Sequence, residues 1–505
     1  MEIQSIEPFL ALVASLLGVG LIVATGKTPN VREACSLGAA ALQCVIVLTM
    51  LPSVLAGHTI HYTLVSLSHL IPTVSIAFRV DALGFLFAAT ASFLWFLTTI
   101  YSIGYMRTLK EHAQTRYYAC FALTMSATMG VAFAANLVTL YFFYEALTLS
   151  TYFLVTHKED DESFTVGRKY VYYHFGTSIL FLLPAVIATY VLSGTFAFQP
   201  HGVFPAGADS TMLVIIYFLF LAGSAKAAIM PFHAWLPAAM VAPVPVSALL
   251  HAVAVVNVGV FGIMRVILDV FGPELMQQLN LNVATAVIAS LTIMMASFYA
   301  FRLDSLKAIL AYSTITHLSY MVLGAVILSP SGVTGGLIHI VNHAFSKITL
   351  FFCAGSIYLA SHKTNISEMS GVGRQMPWTM AAFVIGALSM IGVPSTAGFI
   401  TKWFLAVGSI EAKQFWIFFI LIISTMLSAA YYLRILDRFF SASRPAALQD
   451  AGHHASSPSH GDEYLAEIKE VSPFIVAPLL VTALITLVLG LYPTPLLDLV
   501  RQILQ

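Results

Sequence analysis

Three lysines and one glutamate stand where the sequence is otherwise apolar. They are Lys226 in LAGSAKAAIMPFHAWLP, Lys347 in HIVNHAFSKITLFF, Lys402 in GVPSTAGFITKWF and Glu145 in LVTLYFFYEALTLSTYFLV. A lysine at the centre of a lipid-facing helix costs roughly 2.5–3.5 kcal/mol on insertion scales. Its stem reaches the interface only from near a helix end. Ionisable groups kept at such depth pair with one another or line an ion path. A structural ion pair competes as the account of any one of these lysines, but three together with a single acid and several histidines favour a path. Glu145 has no basic residue in its own run, so its partner has to come from another segment.

The histidines have helical spacing. His339, His343 and Lys347 fall at i, i+4 and i+8, which puts them on one helix face over about 12 Å of rise. Ser247 and His251 share a face in the same way, and Lys307 and Thr314 are nearly in line, with His317 on the adjacent strip. Such a stripe with water between its members passes protons by short hops. Zinc is the rival reading, because imidazoles at i, i+4 can hold it. No carboxylate or thiolate beside them completes a ligand set, so no metal site is predicted.

The elements that carry these residues follow from composition. Of 505 residues, 59% are hydrophobic and 9% charged, against about 25% charged in a soluble domain, and mean hydropathy is +0.88. The chain is therefore read as an all-α integral membrane bundle. At about 20 apolar residues per span, fourteen spans are predicted, centred near residues 15, 45, 93, 124, 146, 181, 222, 258, 290, 317, 347, 394, 425 and 483. The runs are too long and too continuous for barrel strands. The N-terminal run lacks a positive flank and is expected to be a retained span rather than a cleaved signal. The four cysteines, Cys35, Cys44, Cys120 and Cys353, show no paired spacing and read as small buried hydrophobes. Acidic and basic residues balance at 23 each with no basic tract, so nucleic acid is not an expected partner.

Two spans look broken. Pro231 interrupts AAIMPFHAWLP, and Gly392, Pro394 and Gly398 interrupt MIGVPSTAGFITKWF, each a few residues from a lysine. Non-helical backbone at membrane depth survives only when buried in protein or facing a water-filled cavity, and paired broken helices mark ion paths at repeat interfaces. Lys226 and Lys402 are 402 − 226 = 176 residues apart, a spacing that suggests two related bundles. The expected divisions are residues 1–110 (spans 1–3), 111–272 (first repeat), 273–440 (second repeat, inverted relative to the first), 441–471 (polar linker) and 472–505 (span 14). Counting loop Lys and Arg by side gives 16 after odd-numbered spans and 4 after even ones. Under the positive-inside rule, both termini lie outside the cytoplasm and the linker within it, for a protein of the inner (plasma) membrane.

The quoted segments, with SAKAAIMPFHAWLPAAMVAPVPVSALLHA, DSLKAILAYSTITHLSYM and HIVNHAFSKITLFFCAGSIY, together resemble the proton-translocating, antiporter-like subunits shared by respiratory complex I, Mrp-type cation/proton antiporters and membrane-bound hydrogenases. The resemblance runs from about residue 75 to about residue 440. It implies that Glu145 and Lys226 interact across the bundle, that His251 is the histidine of the eighth span, and that Lys307, His317, His339, His343 and Lys347 form a central polar axis. It also implies that Lys402 stands beside an exit half-channel, where some family members carry glutamate. The end of the chain at Gln505, soon after the last apolar run, fits the shorter subunits of the family. YEALTLSTYFLVTHKEDDES looks closer to the Mrp and hydrogenase versions than to a mitochondrial one.

Neither a flavin motif, an iron–sulfur cysteine set, a quinone pocket nor a GxxxxGK[ST] segment is visible in the sequence. No cofactor is expected, and the chain is read as no catalyst alone. The expected function is a proton-translocating subunit of a multisubunit complex, of the Mrp antiporter type or of a redox-driven pump. Its expected partners are other membrane subunits, the bilayer and protons, with sodium left open. A proton-conducting partner in an inorganic-carbon or other solute uptake complex is the alternative. A structural scaffold is the alternative of another class.

Overall fold

The computed structural model describes residues 2–66, 74–441 and 468–504; most of the polar linker, residues 442–467, and the side chain of His251 lie outside the described residues. The apolar runs are helices. In chain order they are α1 (Glu7–Ala24), α2 (Pro29–Leu55), α3 (Ala82–Thr108), α4 (Gln114–Ala132), α5 (Leu137–Val155), α6 (Asp161–Ser193), α7 (Ser210–Gly223) and α8 (Val244–Phe271). They continue as α9 (Leu281–Arg302), α10 (Leu306–Ile327), α11 (Pro330–Ser361), α12 (Pro377–Ile391), α13 (Ala397–Glu411), α14 (Phe415–Phe440) and α15 (Pro473–Leu491). Among the described residues, 11 helices are long and apolar enough to cross a membrane singly, while α7 and α12 are apolar but shorter. Of the fourteen expected span centres, all fall on one of these helices except 394, which falls in the gap between α12 and α13.

Local sequence sets the boundaries. Asp81 and Asn136 cap α3 and α5 by accepting from the backbone N–H of Gly84 and Thr139, each at 2.8 Å. Asp160 opens α6 with a capping box to Ser163. Such caps satisfy amides that a helix start leaves open. The all-α expectation has one exception: strands β1 (Glu2–Gln4), β2 (Thr59–Ser66) and β3 (Ser75–Val80) form a small sheet, parallel between β1 and β2 and antiparallel between β2 and β3. Strand β3 leads directly into the cap of α3.

The bundle interior is mainly apolar with buried polar and charged side chains set into it. The apolar windows of α8 and α11 are entirely buried and that of α10 is 94% buried, whereas those of α14 and α15 are 33% buried. Helix α11 is the central post, packed against α8, α10, α12, α13 and α15. Small residues let the backbones approach, as membrane helix packing requires: a Cβ on Gly324 of α10 would come within 2.6 Å of the Gly336 Cα on α11.

Both expected breaks are present. Helix α7 ends at Gly223, a single 3₁₀ turn spans Ala225–Ala227, and Ala228 takes a left-handed conformation at φ 53°. The freed backbone finds partners: Trp235 Nε1 donates to the Ala225 carbonyl at 2.9 Å, and the Met230 N–H donates to Thr292 Oγ1 at 3.2 Å. Helix α12 ends at Gly392, whose φ of 89° suits a residue without Cβ, and α13 begins at Ala397. Further irregularities are π turns at Tyr172–Gly176 and Ser178–Leu182 within α6 and at Val266–Phe271 at the end of α8, a feature that tends to mark functional positions.

Candidate functional site

The 3₁₀ turn after α7 holds Lys226 fully buried against α5. Its Nζ donates to Thr148 Oγ1 at 2.7 Å and lies over the Tyr144 ring, 3.3 Å from the centroid. A desolvated cation over an aromatic face gains about 2 kcal/mol, and the hydroxyl supplies a direct acceptor. Glu145 follows Tyr144 on the same helix; among the described residues its carboxylate forms no direct ion pair with Lys226, but it feels that lysine's charge and has Ser178 as a side-chain partner.

Beside this pair stands a group that sequence spacing does not single out. His174, in the π turn of α6, is buried, with Nδ1 at 2.8 Å from the Tyr170 carbonyl and its ring against Tyr170 and Trp235. A carbonyl only accepts, so Nδ1 carries the hydrogen and Nε2 is left as a base. Its only sequence signal is a histidine inside an apolar run, without the i+4 partner that marks His339 and His343.

On α10 and α11 the predicted stripe is compact. His317 Nδ1 and His339 Nε2 are 2.9 Å apart, His339 Nδ1 and Thr401 Oγ1 are 3.1 Å apart, and Asn342 Nδ2 donates to the same Thr401 oxygen at 3.0 Å. The His343 ring lies 5.8 Å from those of both His317 and His339. One helical turn on, Lys347 Nζ has three acceptors for its three hydrogens: Ser313 Oγ at 2.9 Å, the Leu310 carbonyl at 3.3 Å and the Tyr432 hydroxyl at 3.5 Å. Tyr431 also donates to Ser313 at 3.1 Å. These contacts join α10, α11 and α14 through hydroxyls that both donate and accept, the property a proton relay needs.

Lys402 closes the row at the second break. Its Nζ donates to the Ile391 carbonyl at the end of α12 at 2.6 Å and to Thr425 Oγ1 at 3.0 Å, with the Tyr320 ring 5.8 Å away. A cation suits this helix C-terminus, where carbonyls lack intrahelical partners. Lys307 stands apart. It is the second residue of α10, and its Nζ donates to the Ala242 carbonyl at 2.9 Å. It lines a cavity of about 590 Å³ shared with Glu111, Lys158 and Glu162. Among the described residues no hydrogen-bonded chain runs from Lys226 through Lys307 to Lys347. The side chain of His251 lies outside the described residues.

A second buried charge cluster is not evident from sequence. The charge count by side places Arg265 in a loop, but it is 2% exposed on α8 and makes two 2.7 Å bonds to Asp81 and one of 2.7 Å to Asp269. Arg79 adds a 3.0 Å contact to Asp81. The i, i+4 spacing of Arg265 and Asp269 is the one available signal; the partner from β3–α3 is not readable. Burial alone would raise the Asp81 carboxyl, but the Arg265 and Arg79 guanidiniums outweigh it and hold the group well below the usual carboxylate range.

Residues 134–428, more than half of the chain, match the family described as NADH:quinone oxidoreductase/Mrp antiporter, TM, and residues 71–118 match the N-terminus of chain 5 of NADH-ubiquinone oxidoreductase (complex I). NADH-quinone oxidoreductase subunit N of Desulforudis audaxviator is 28% identical over 85% of each chain. A polypeptide of a probable K(+)/H(+) antiporter from Rhizobium meliloti is 29% identical over 82% of this chain and 42% of its own. In fold, the chain resembles a component of the Mrp complex from Dietzia sp. (TM-score 0.86, 21% identity, 99% of this chain and 97% of that one). It also resembles one of an archaeal membrane-bound sulfane sulfur reductase (TM-score 0.82, 22% identity, the same coverage).

Proposed function

The chain belongs to the NADH:quinone oxidoreductase/Mrp antiporter transmembrane family, and on that premise we propose that it is the proton-translocating subunit of a multisubunit membrane complex. Protons move along the row Glu145, Lys226, Lys307, Lys347, His317, His339, His343 and Lys402, with His174 as an additional base. One observation carries the reading: a buried imidazole pair 2.9 Å apart shares the bundle interior with the buried Lys347 and the half-buried Lys402, each held by hydroxyl and carbonyl oxygens rather than by a carboxylate. A structural ion pair would have fixed charge against charge. A lysine held by neutral acceptors loses its proton without leaving an anion stranded, which suits a group that titrates during turnover.

In this reading the 590 Å³ cavity brings water to Lys307 from the positively charged, cytoplasmic side. Lys402, at the second break, serves the opposite side. The two breaks belong to related bundles, residues 111–272 and 273–440. The protein is multi-pass in the plasma membrane with both termini outside the cytoplasm. Direction of flux is set by the partner subunits that supply the coupled reaction, either cation exchange or electron transfer.

The test is proton flux in vesicles containing the whole complex, for wild type and for Lys226→Ala and Glu145→Gln, after assembly has been verified for each. The expected result is loss of flux in both with assembly intact. Unchanged flux would make the buried groups structural and sink the reading.

A further inference from the structure

The loops joining α3 to α4 and α5 to α6 bring together three groups that the proton row does not use. Glu111, His112 and His157 each offer a ligand atom, and these atoms all lie within 4.8 Å of one another. Glu111 Oε2 is 3.9 Å from both His112 Nδ1 and His157 Nε2. His157 is fully buried, and neither of its ring nitrogens has a hydrogen-bond partner. A buried imidazole with both nitrogens idle is uncommon, because buried polar groups are nearly always satisfied. His112 is half-exposed, so an ion has a route in.

The surroundings suit a metal ion. Glu159 Oε2 is 3.7 Å from His112 Nε2, and this glutamate is ion-paired with Arg116, leaving Glu111 as the carboxylate free to face the imidazoles. Two nitrogens and one oxygen form the donor set of a three-ligand zinc site with an open fourth position. Tetrahedral bonds of about 2.05 Å need ligand separations of about 3.3 Å, so side-chain rotations of ångström size would close the site.

We propose that Glu111, His112 and His157 form a binding site for a divalent transition cation of the zinc type. Glu111 also lines the cavity that reaches Lys307, so a dication there opposes proton uptake through that mouth. This second half rests on the proton-translocation reading; the binding half does not.

The purified whole complex would be titrated with Zn²⁺ alone and, in parallel, with Co²⁺ for its ligand-field absorption. The background protein would carry glutamine at His453, His454 and His460, so that these linker histidines do not compete. His112→Ala and His157→Phe are each expected to lower affinity at least tenfold and to abolish the tetrahedral Co²⁺ spectrum, with assembly unchanged. Absence of binding, or binding unaltered by both substitutions, overturns the site. Zinc inhibition of vesicle proton flux is expected in the background protein and lost with His112→Ala. Binding without inhibition overturns the gating half. If metal-free vesicles carry no flux, the translocation reading fails while the titration still decides the site.

Discussion

At the scale of single residues, Lys226 and Glu145 interact through charge without a direct ion pair among the described residues. The ammonium is satisfied directly by Thr148 and the Tyr144 ring rather than by the carboxylate. Thr148 is thus expected to matter as much as the acid. A hydrogen bond to a charged group contributes about 1.5–3 kcal/mol, so Thr148→Val is expected to cut proton flux by roughly ten- to a hundredfold, measured as initial rates in vesicles, while Thr148→Ser keeps most of it. Equal rates in the two variants would mean that the hydroxyl does not hold the working state of the lysine. The triad His317, His339 and His343 is readable in part. Helical spacing gives the face shared by His339 and His343, but only packing of α10 on α11 brings His317 within hydrogen-bond reach.

At the scale of elements, the second break is held by its own lysine. Gly392 has φ 89°, and a Cβ there would meet Lys402 Cδ at 2.7 Å. Gly392→Ala is expected to cost at least about 1 kcal/mol through the left-handed conformation and to displace Lys402. The measurement is thermal stability of the assembled complex together with flux; both should fall, and a loss of stability without loss of flux would argue that Lys402 is not a station. The Arg265 cluster makes a different prediction, because it lies off the row. Arg265→Met leaves Asp81 and Asp269 without their shared guanidinium and is expected to cost about 3–5 kcal/mol, seen as loss of assembled complex on size-exclusion chromatography. Asp81 also sets a pH dependence. Its folded carboxyl is depressed below the ordinary 3.8, so its contribution is present in full above that value and is lost only as pH falls further, through the folded range. An acid titration of wild-type stability should show no Asp81-dependent loss between pH 7 and 5, and such a loss, absent from Asp81→Asn, would contradict the ion-pair assignment.

At the scale of the whole molecule, orientation is the most direct prediction. Lys27 and Lys413 are both exposed and fall on opposite sides of the membrane in the charge count. Cysteine at position 27 should react with an impermeant thiol reagent only in inside-out vesicles, and cysteine at position 413 only in right-side-out ones; the reverse pattern would invert the assignment of the Lys307 cavity to the cytoplasm. Composition and apolar run length sufficed to establish a helical membrane protein and to locate its spans, because the bilayer forces every backbone polar group into local hydrogen bonds and so ties structure to local sequence. The same rule made the breaks legible, since proline and glycine in a span can only mark backbone that is satisfied elsewhere. What the tertiary structure alone decided is which side chains meet. Thr148 facing Lys226, Ile391 capped by Lys402, Arg265 gripping Asp81 across 184 residues and His157 brought to Glu111 and His112 are contacts between helices or loops distant in sequence. No period or spacing along one chain encodes them, because each depends on how neighbouring helices rotate to fit their small residues and buried polar groups together.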